Sequence, residues 1–311
     1  MTANRSTRRD ADRDARRYSR PPAAGTRPGT RPRVRPRAGV ALTAAALGAV
    51  LAPLFTAAPA HAIIGGHEAT PGEQPFVVSV QAVTWGGEVS HYCGGSLIAD
   101  DWVLTAAHCA DTTDAGSRKV RIGSTEHARG GALLDVAEVV VHPEYLPGPG
   151  TPEGRQHDVA LLRLAKPVEP ALGTPVRLGT GADGLDPVRV FGWGLTDPEG
   201  DRPADRLKLL DTGLRATRDC AANAIVDRYP RLSLCFDNPG GQSAAQMDSG
   251  GPITIVRDGA RYQVSAVRGS GAPSGVPAGE YAWVGVNLGE ESVAEWITEV
   301  AGVPVKALGP S

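Results

Sequence analysis

The chain has 311 residues, 41% of them apolar and 21% charged, a composition that supplies a core and excludes global disorder. Its 39 glycines and 26 prolines are more than a helical bundle tolerates, so many turns and short strands are expected. The net charge of −2 divides unevenly: residues 1–62 carry twelve Arg against three Asp, and residues 63–311 carry 20 Lys and Arg against 31 Asp and Glu, an acidic body poorly suited to nucleic-acid phosphates.

In chain order, residues 1–37 are rich in Arg and Pro, and Ala38 to Ala60 then carry no charge. Ala60-His61-Ala62 closes this stretch with an A-x-A cleavage pattern. Basic segment, apolar run and small-residue site together predict a secretory signal spanning residues 1–62 and removed from the mature protein. A membrane anchor is the alternative, since 23 uncharged residues are long enough to span a bilayer; Pro53, Pro59 and the cleavage pattern favour the signal. Export predicts an oxidising compartment in which paired cysteines form disulfides. The four cysteines allow two bridges or one four-ligand metal site.

From Ile63 on, short β-rich runs alternate with turn residues. Strands are predicted at Phe76–Val83, Val103–Ala107, Lys119–Ile122, Leu133–Val141, Val159–Leu164, Pro187–Phe191, Pro252–Val256, Tyr262–Val267 and Tyr281–Val286. Residues 165–187, rich in Pro, Gly and Ala, read as a connector between halves. Val293, Trp296, Ile297 and Val300 recur at helical spacing and predict one helix over Glu291–Ala301, stopped by Gly302 and Pro304.

Three separated motifs carry chemistry. They are Leu104-Thr105-Ala106-Ala107-His108-Cys109, His157-Asp158-Val159-Ala160-Leu161-Leu162, and Met247-Asp248-Ser249-Gly250-Gly251-Pro252. A serine hydroxyl is a weak nucleophile at neutral pH. It needs an imidazole to take its proton, and the imidazole needs a buried carboxylate to hold its tautomer and its charged form. His108, Asp158 and Ser249 supply these groups in the order His, Asp, Ser. His61, His67, His91, His127, His142 and His157 read as leader, surface or structural residues, and no pair has the H-E-x-x-H spacing of a zinc protease.

With these motifs in order, together with Ile63-Ile64-Gly65-Gly66, Cys93-Gly94-Gly95-Ser96, Gly192-Trp193-Gly194 and Gly279-Glu280-Tyr281, the chain resembles the trypsin-like (chymotrypsin-fold) secreted serine proteases from Ile63 to about Ile297. The resemblance implies an all-β fold of two antiparallel Greek-key β-barrels with a C-terminal helix, residues 63–175 forming the first and 176–311 the second with the helix. It implies a serine endopeptidase with catalytic His108, Asp158 and Ser249, and an oxyanion hole formed by the amides of Met247 and Ser249. It implies disulfides Cys93–Cys109 and Cys220–Cys235; the metal alternative would need four thiolates from two different barrels. It also implies an ion pair between the free amine of Ile63 and Asp248, with signal removal itself creating that terminus. No cofactor or metal is expected. Gly123–Gly131 carries only Glu126 as a carboxylate, too few for a calcium loop. The expected partners are protein or peptide substrates and a proteinaceous inhibitor, with no nucleic acid, no membrane after signal cleavage, and a monomeric chain. A protease-fold binding protein that turns over little or nothing is the alternative from another class.

The family pattern breaks at named places. The residue two before the nucleophile, usually Gly, is Met247. Both cysteines of a pocket-rim bridge are replaced, by Ala245 and Ala272, and the usual Ser-Trp reads Val267-Arg268, so a positive charge is expected among the substrate subsites. The specificity pocket would have Ser243 at its floor and Gly269 and Gly279 on its walls; an open slot without a carboxylate favours apolar or aromatic side chains over Lys or Arg.

Overall fold

The structure is a computed structural model that describes residues 63–84, 86–110, 114–146, 156–181, 187–196, 202–216, 220, 229–268 and 283–309. The leader at residues 1–62, Gly269, Ala272 and Gly279 lie outside the described residues.

Fifteen strands and one α-helix occur among the described residues: β1 (His67–Glu68), β2 (Val77–Val83), β3 (Val89–Ala99), β4 (Trp102–Thr105), β5 (Arg118–Ile122), β6 (Ala132–Val141), β7 (Ala160–Leu164), β8 (Arg177–Thr180), β9 (Pro187–Gly192), β10 (Lys208–Arg215), β11 (Ser233–Phe236), β12 (Pro252–Arg257), β13 (Ala260–Val267), β14 (Trp283–Asn287), α1 (Glu291–Ala301) and β15 (Val305–Ala307). They form two closed six-stranded antiparallel barrels. The first runs β2-β3-β4-β7-β6-β5, and the second runs β9-β10-β11-β14-β13-β12 and closes through Ile253 opposite Val190. Both barrels use the same order, first-second-third-sixth-fifth-fourth in their own strands, and this is the fold class expected from the sequence. β8 pairs in parallel with β13, and β15 pairs in parallel with β8.

Period-2 alternation decides which side chain faces which core. In β2, Val78 and Val80 fill the first barrel, while Val77 joins a cluster containing Phe191, Trp193, Leu209 and Trp296 from the second half. In β4 and β7, Val103 and Leu162 point into the barrel and Leu104 and Leu161 into the shared cluster. Strands buried on both faces read as continuous apolar runs. The second barrel is filled by Val188, Val190, Leu210, Phe236, Ile253, Ile255, Val264 and Trp283. The α1 helix begins where the Glu290 carboxylate accepts the Ser292 N–H at 2.9 Å and ends at Gly302, φ 68°. It buries Val293, Trp296 and Ile297 in the shared cluster.

Several elements lie outside the runs singled out in the sequence. β3 runs straight through Gly94-Gly95; β1, β10, β11 and β15 lie where no strand was named; and the connector at 165–187 contains β8. Residues 281 and 282 of the last predicted strand lie outside the described residues.

Candidate active site

β4 ends at Thr105, and a single 3-10 turn, Ala107–Cys109, carries His108. The Cys93–Cys109 disulfide, with its Cα atoms 6.3 Å apart, ties that turn to β3. Cys220–Cys235 forms the second bridge, and the described residues contain no free cysteine. Paired thiols cannot serve as thiolate ligands, so the four-thiolate metal site is excluded.

Asp158 stands just before β7, next to His157, whose φ of 45° is left-handed. The Val159 N–H donates to the His157 carbonyl at 2.7 Å, closing a three-residue turn around Asp158. The Asp158 carboxylate is fully buried. One oxygen accepts the His108 backbone N–H at 2.9 Å, and the other accepts the His108 Nδ1 hydrogen at 2.8 Å. One carboxylate therefore fixes both the backbone and the ring. With Nδ1 donating, Nε2 is left unprotonated, the state a general base requires. The His108 side chain remains 19% exposed, open on one side to a reactant.

Ser249 lies in the turn leading into β12. Its carbonyl accepts the Gly94 N–H at 2.8 Å, and the Gly250 N–H donates to Val267 at 2.7 Å. A Cβ on Gly94 would stand 2.7 Å from Gly251 Cα, and one on Gly250 would stand 2.7 Å from the Ala106 amide. The serine loop of the second barrel is therefore packed backbone to backbone against the loop of His108, and glycine is required on both sides. Structure and sequence thus bring all three motif residues to one junction between the barrels.

Asp248 is fully buried, and burial pushes its carboxyl up to about 7. Backbone hydrogen bonds from Gly194 at 2.7 Å and Ala245 at 2.8 Å oppose that rise. A Cβ at Gly192 or Gly194 would collide with this carboxylate, which explains the Gly-Trp-Gly spacing. Ile63 is fully buried in the second barrel's core beside Ala244. The Ile64 carbonyl accepts the Ser243 N–H at 3.1 Å, so the segment after Ile63 is tied to Ser243. Ser243 is half-buried.

Met247 has φ 71°. The position demands the left-handed backbone that glycine adopts freely, and methionine occupies it nonetheless. Its carbonyl accepts from His91 Nε2 at 3.1 Å, while His91 Nδ1 faces the Ser79 hydroxyl at 2.8 Å. Burial, reinforced by nearby His127, pushes His91 down to about 3, so its ring is neutral. Sequence reading had assigned His91 no part in the site. Arg268 corrects a second expectation. Its side chain is 1% exposed and donates to Ser233 Oγ at 3.0 Å, so the guanidinium lies beneath the strands and is not presented to a substrate.

Comparison with known proteins places these features in a family. A family model described as Trypsin matches residues 63–282. Trypsin 5G1 of Aedes aegypti is 32% identical over 256 residues, covering 78% of this chain and 85% of that protein.

Proposed function

The chain belongs to the trypsin-like serine protease family, and on that premise we propose that it is a secreted serine endopeptidase using His108, Asp158 and Ser249. The observation that carries this reading is the doubly held His108–Asp158 pair, 2.9 and 2.8 Å, with the carboxylate fully buried and the turn that carries His108 packed against the Ser249 loop. His108 Nε2 takes the Ser249 hydroxyl proton as Oγ attacks the scissile carbonyl carbon. The carbonyl oxygen becomes an oxyanion that receives the amides of Ser249 and Met247. His108 then gives its proton to the leaving amine, and water repeats the sequence on the acyl-enzyme. Asp158 stays ionised and stabilises the imidazolium.

Ser243 at the pocket floor offers no counter-charge, which supports a preference for apolar or aromatic residues before the scissile bond. Two disulfides suit an oxidising compartment. No helix among the described residues is long and apolar enough to cross a membrane. Ile63 has φ 49°, a conformation a β-branched residue rarely adopts, and cleavage before it removes that torsion altogether. This supports activation by release of the Ile63 amine toward Asp248.

The test is labelling by a fluorophosphonate. Reaction at Ser249 that is lost in His108→Ala supports the enzyme. Absence of labelling in protein whose N-terminus is Ile63 supports the non-catalytic binder. A peptide-library cleavage profile then reads the specificity, and cleavage confined to Lys and Arg would overturn the apolar preference.

A further inference from the structure

The turn that presents the Asp158 carboxylate to His108 hinges on the residue before it, because the Val159 N–H donates to the His157 carbonyl at 2.7 Å. His157 is held at φ 45°, a conformation that a residue with a Cβ adopts only where its surroundings impose it. His157 is 8% exposed. Its ring is gripped by two segments distant in sequence: the turn after β6, with His142 and Glu144, and the start of α1, with Glu290 and Ser292.

We propose that His157 is a positioning residue for Asp158: its ring pins the turn of the buried carboxylate to the start of α1 and to the turn after β6. The proposal rests on the protease reading and deepens it. The Ser292 hydroxyl donates to the Glu290 carboxylate. Its oxygen is left to accept, so His157 Nε2, 3.0 Å away, carries the hydrogen that it receives. The Glu144 carboxylate stands 3.1 Å from the same nitrogen. One face of the ring lies on His142, with centroids 4.4 Å apart and planes 10° apart. His142 is held in turn: its Nδ1 accepts the Glu144 N–H at 3.2 Å, its Nε2 faces the Ser292 carbonyl at 3.4 Å, and its ring packs on Trp296. The anchor is rigid, because α1 buries Val293, Trp296 and Ile297 in the shared cluster.

This grip requires neutral rings. Burial holds both imidazoles below the ordinary histidine value; His157 adds to this at His142 and Arg268 adds to it at His157, while Glu144 and Glu290 oppose it at both. Tyr229 and Arg231 line, with His157, the adjoining cavity of about 510 Å³. His157 Nδ1 is buried without a hydrogen-bond partner among the described residues, so a second proton there meets no acceptor. Two charged rings stacked at 4.4 Å would also repel each other. Below the ordinary value of 6.5 the unfolded chain therefore binds protons that the folded pair refuses, and stability falls as pH drops. Once the folded pair does take a proton, the turn is released and Asp158 loses its place.

Steady-state kinetics on a peptide amide, with fluorophosphonate labelling of Ser249 run alongside, tests this. His157→Gly accepts the left-handed turn without strain and lacks only the ring. Its kcat is expected to fall roughly ten- to hundredfold with KM nearly unchanged, and its His108 Nδ1 hydrogen, followed by NMR, should exchange faster with water. His157→Asn tolerates the same turn, keeps an N–H donor and cannot titrate. It is expected to restore most of kcat and to remove one proton from the acid limb of the kcat profile. Glu144→Gln changes an exposed side chain, keeps an acceptor and removes a charge that favours the imidazolium, so the acid limb should move to lower pH. A folded His157→Gly with unchanged kcat and unchanged Nδ1 exchange overturns the proposal. Should that variant fail to fold, an acid limb unmoved in both His157→Asn and Glu144→Gln overturns it. Wild-type protein left unlabelled at Ser249 would sink the protease reading itself, and Nδ1 exchange then decides alone whether the ring holds Asp158.

Discussion

His91 in the first barrel holds the carbonyl of Met247 in the second at 3.1 Å, so a neutral, buried imidazole fixes the one left-handed side-chain-bearing residue of the nucleophile loop. The link extends inward, since Ser79 Oγ meets the other ring nitrogen and Gln81 Nε2 donates to that hydroxyl at 3.2 Å. A row of polar side chains on β2 and β3 thereby positions a peptide unit next to the proposed oxyanion donors.

His91→Leu follows from this row. It leaves the Ser79 hydroxyl and the Met247 carbonyl without their partner in a buried site, at a cost of about 1–3 kcal/mol each. Chemical denaturation should show a loss of that order. Turnover of a peptide amide is expected to fall at least tenfold, short of the 10²–10³ that follows loss of a whole oxyanion donor. Because burial holds the ring neutral, the pH profile of kcat should keep its shape. Unchanged kcat in a folded His91→Leu protein would show that the loop keeps its geometry unaided.

Asp158→Asn tests the carboxylate that binds His108 twice. The asparagine oxygen can keep the His108 N–H, but the amide NH2 then faces Nδ1 and forces the hydrogen onto Nε2. The base is then protonated at the wrong nitrogen. A fall in kcat of about 10⁴, with a largely unchanged KM, is the loss typical of this constellation. Fluorophosphonate labelling should slow in parallel. A fall of tenfold or less would remove Asp158 from the mechanism.

Asp248 makes stability depend on pH in a direction that reports cleavage. In chain still joined at Ala62–Ile63, the buried carboxyl titrates at about 7, whereas an unfolded Asp titrates near 3.8. Between these values the folded state keeps a proton that the unfolded state has lost. Stability therefore falls as pH rises from 4 to 7, by a total of order 4 kcal/mol. A free Ile63 amine brought to the carboxylate favours its ionised form, so the decline should vanish after cleavage. Denaturation at stepped pH, on uncut and cut protein, checks both arms, and Asp248→Asn should flatten the uncut profile. A flat profile in uncut wild-type protein would contradict this assignment.

The motifs made the barrels, the disulfides and the His108–Asp158–Ser249 junction legible, because each motif is a short stretch whose residues act together in space. β3 was not legible as a strand because Gly94 and Gly95 resemble a turn; they are glycine because Gly251 and the side chains of Val78 and Val103 leave no room for a Cβ. β10 and β11 contain Asp211, Gly213 and Ser233, and only pairing with β9 and β14 makes them strands. Arg268 shows the same limit: a charged residue in a subsite position reads as exposed, and only the fold supplies Ser233 beneath it. His91 gave no local signal at all, since its partner lies 156 residues away.

Met247→Gly is the most direct probe of how this chain departs from its family. At φ 71° a side chain costs about 1–2 kcal/mol, and glycine removes that cost. Glycine also gives the unfolded chain more freedom, which takes back about 0.5–1 kcal/mol. The net stabilisation is therefore small, about 1 kcal/mol or less, and the midpoint of unfolding should barely move. Catalysis should respond more. The Met247 amide is a proposed oxyanion donor, and Met247 is half-buried, its thioether on the proposed leaving-group side of the cleft. Its removal widens that side and lets the peptide before residue 247 settle without a Cβ, while the His91 hydrogen bond still holds the carbonyl. The expected result is a higher kcat/KM on a peptide amide, with Ser249 dependence intact and the gain largest for bulky residues after the scissile bond. An equal or lower kcat/KM in the glycine variant would mean that the methionine is fitted to its substrate and strains the loop to that end.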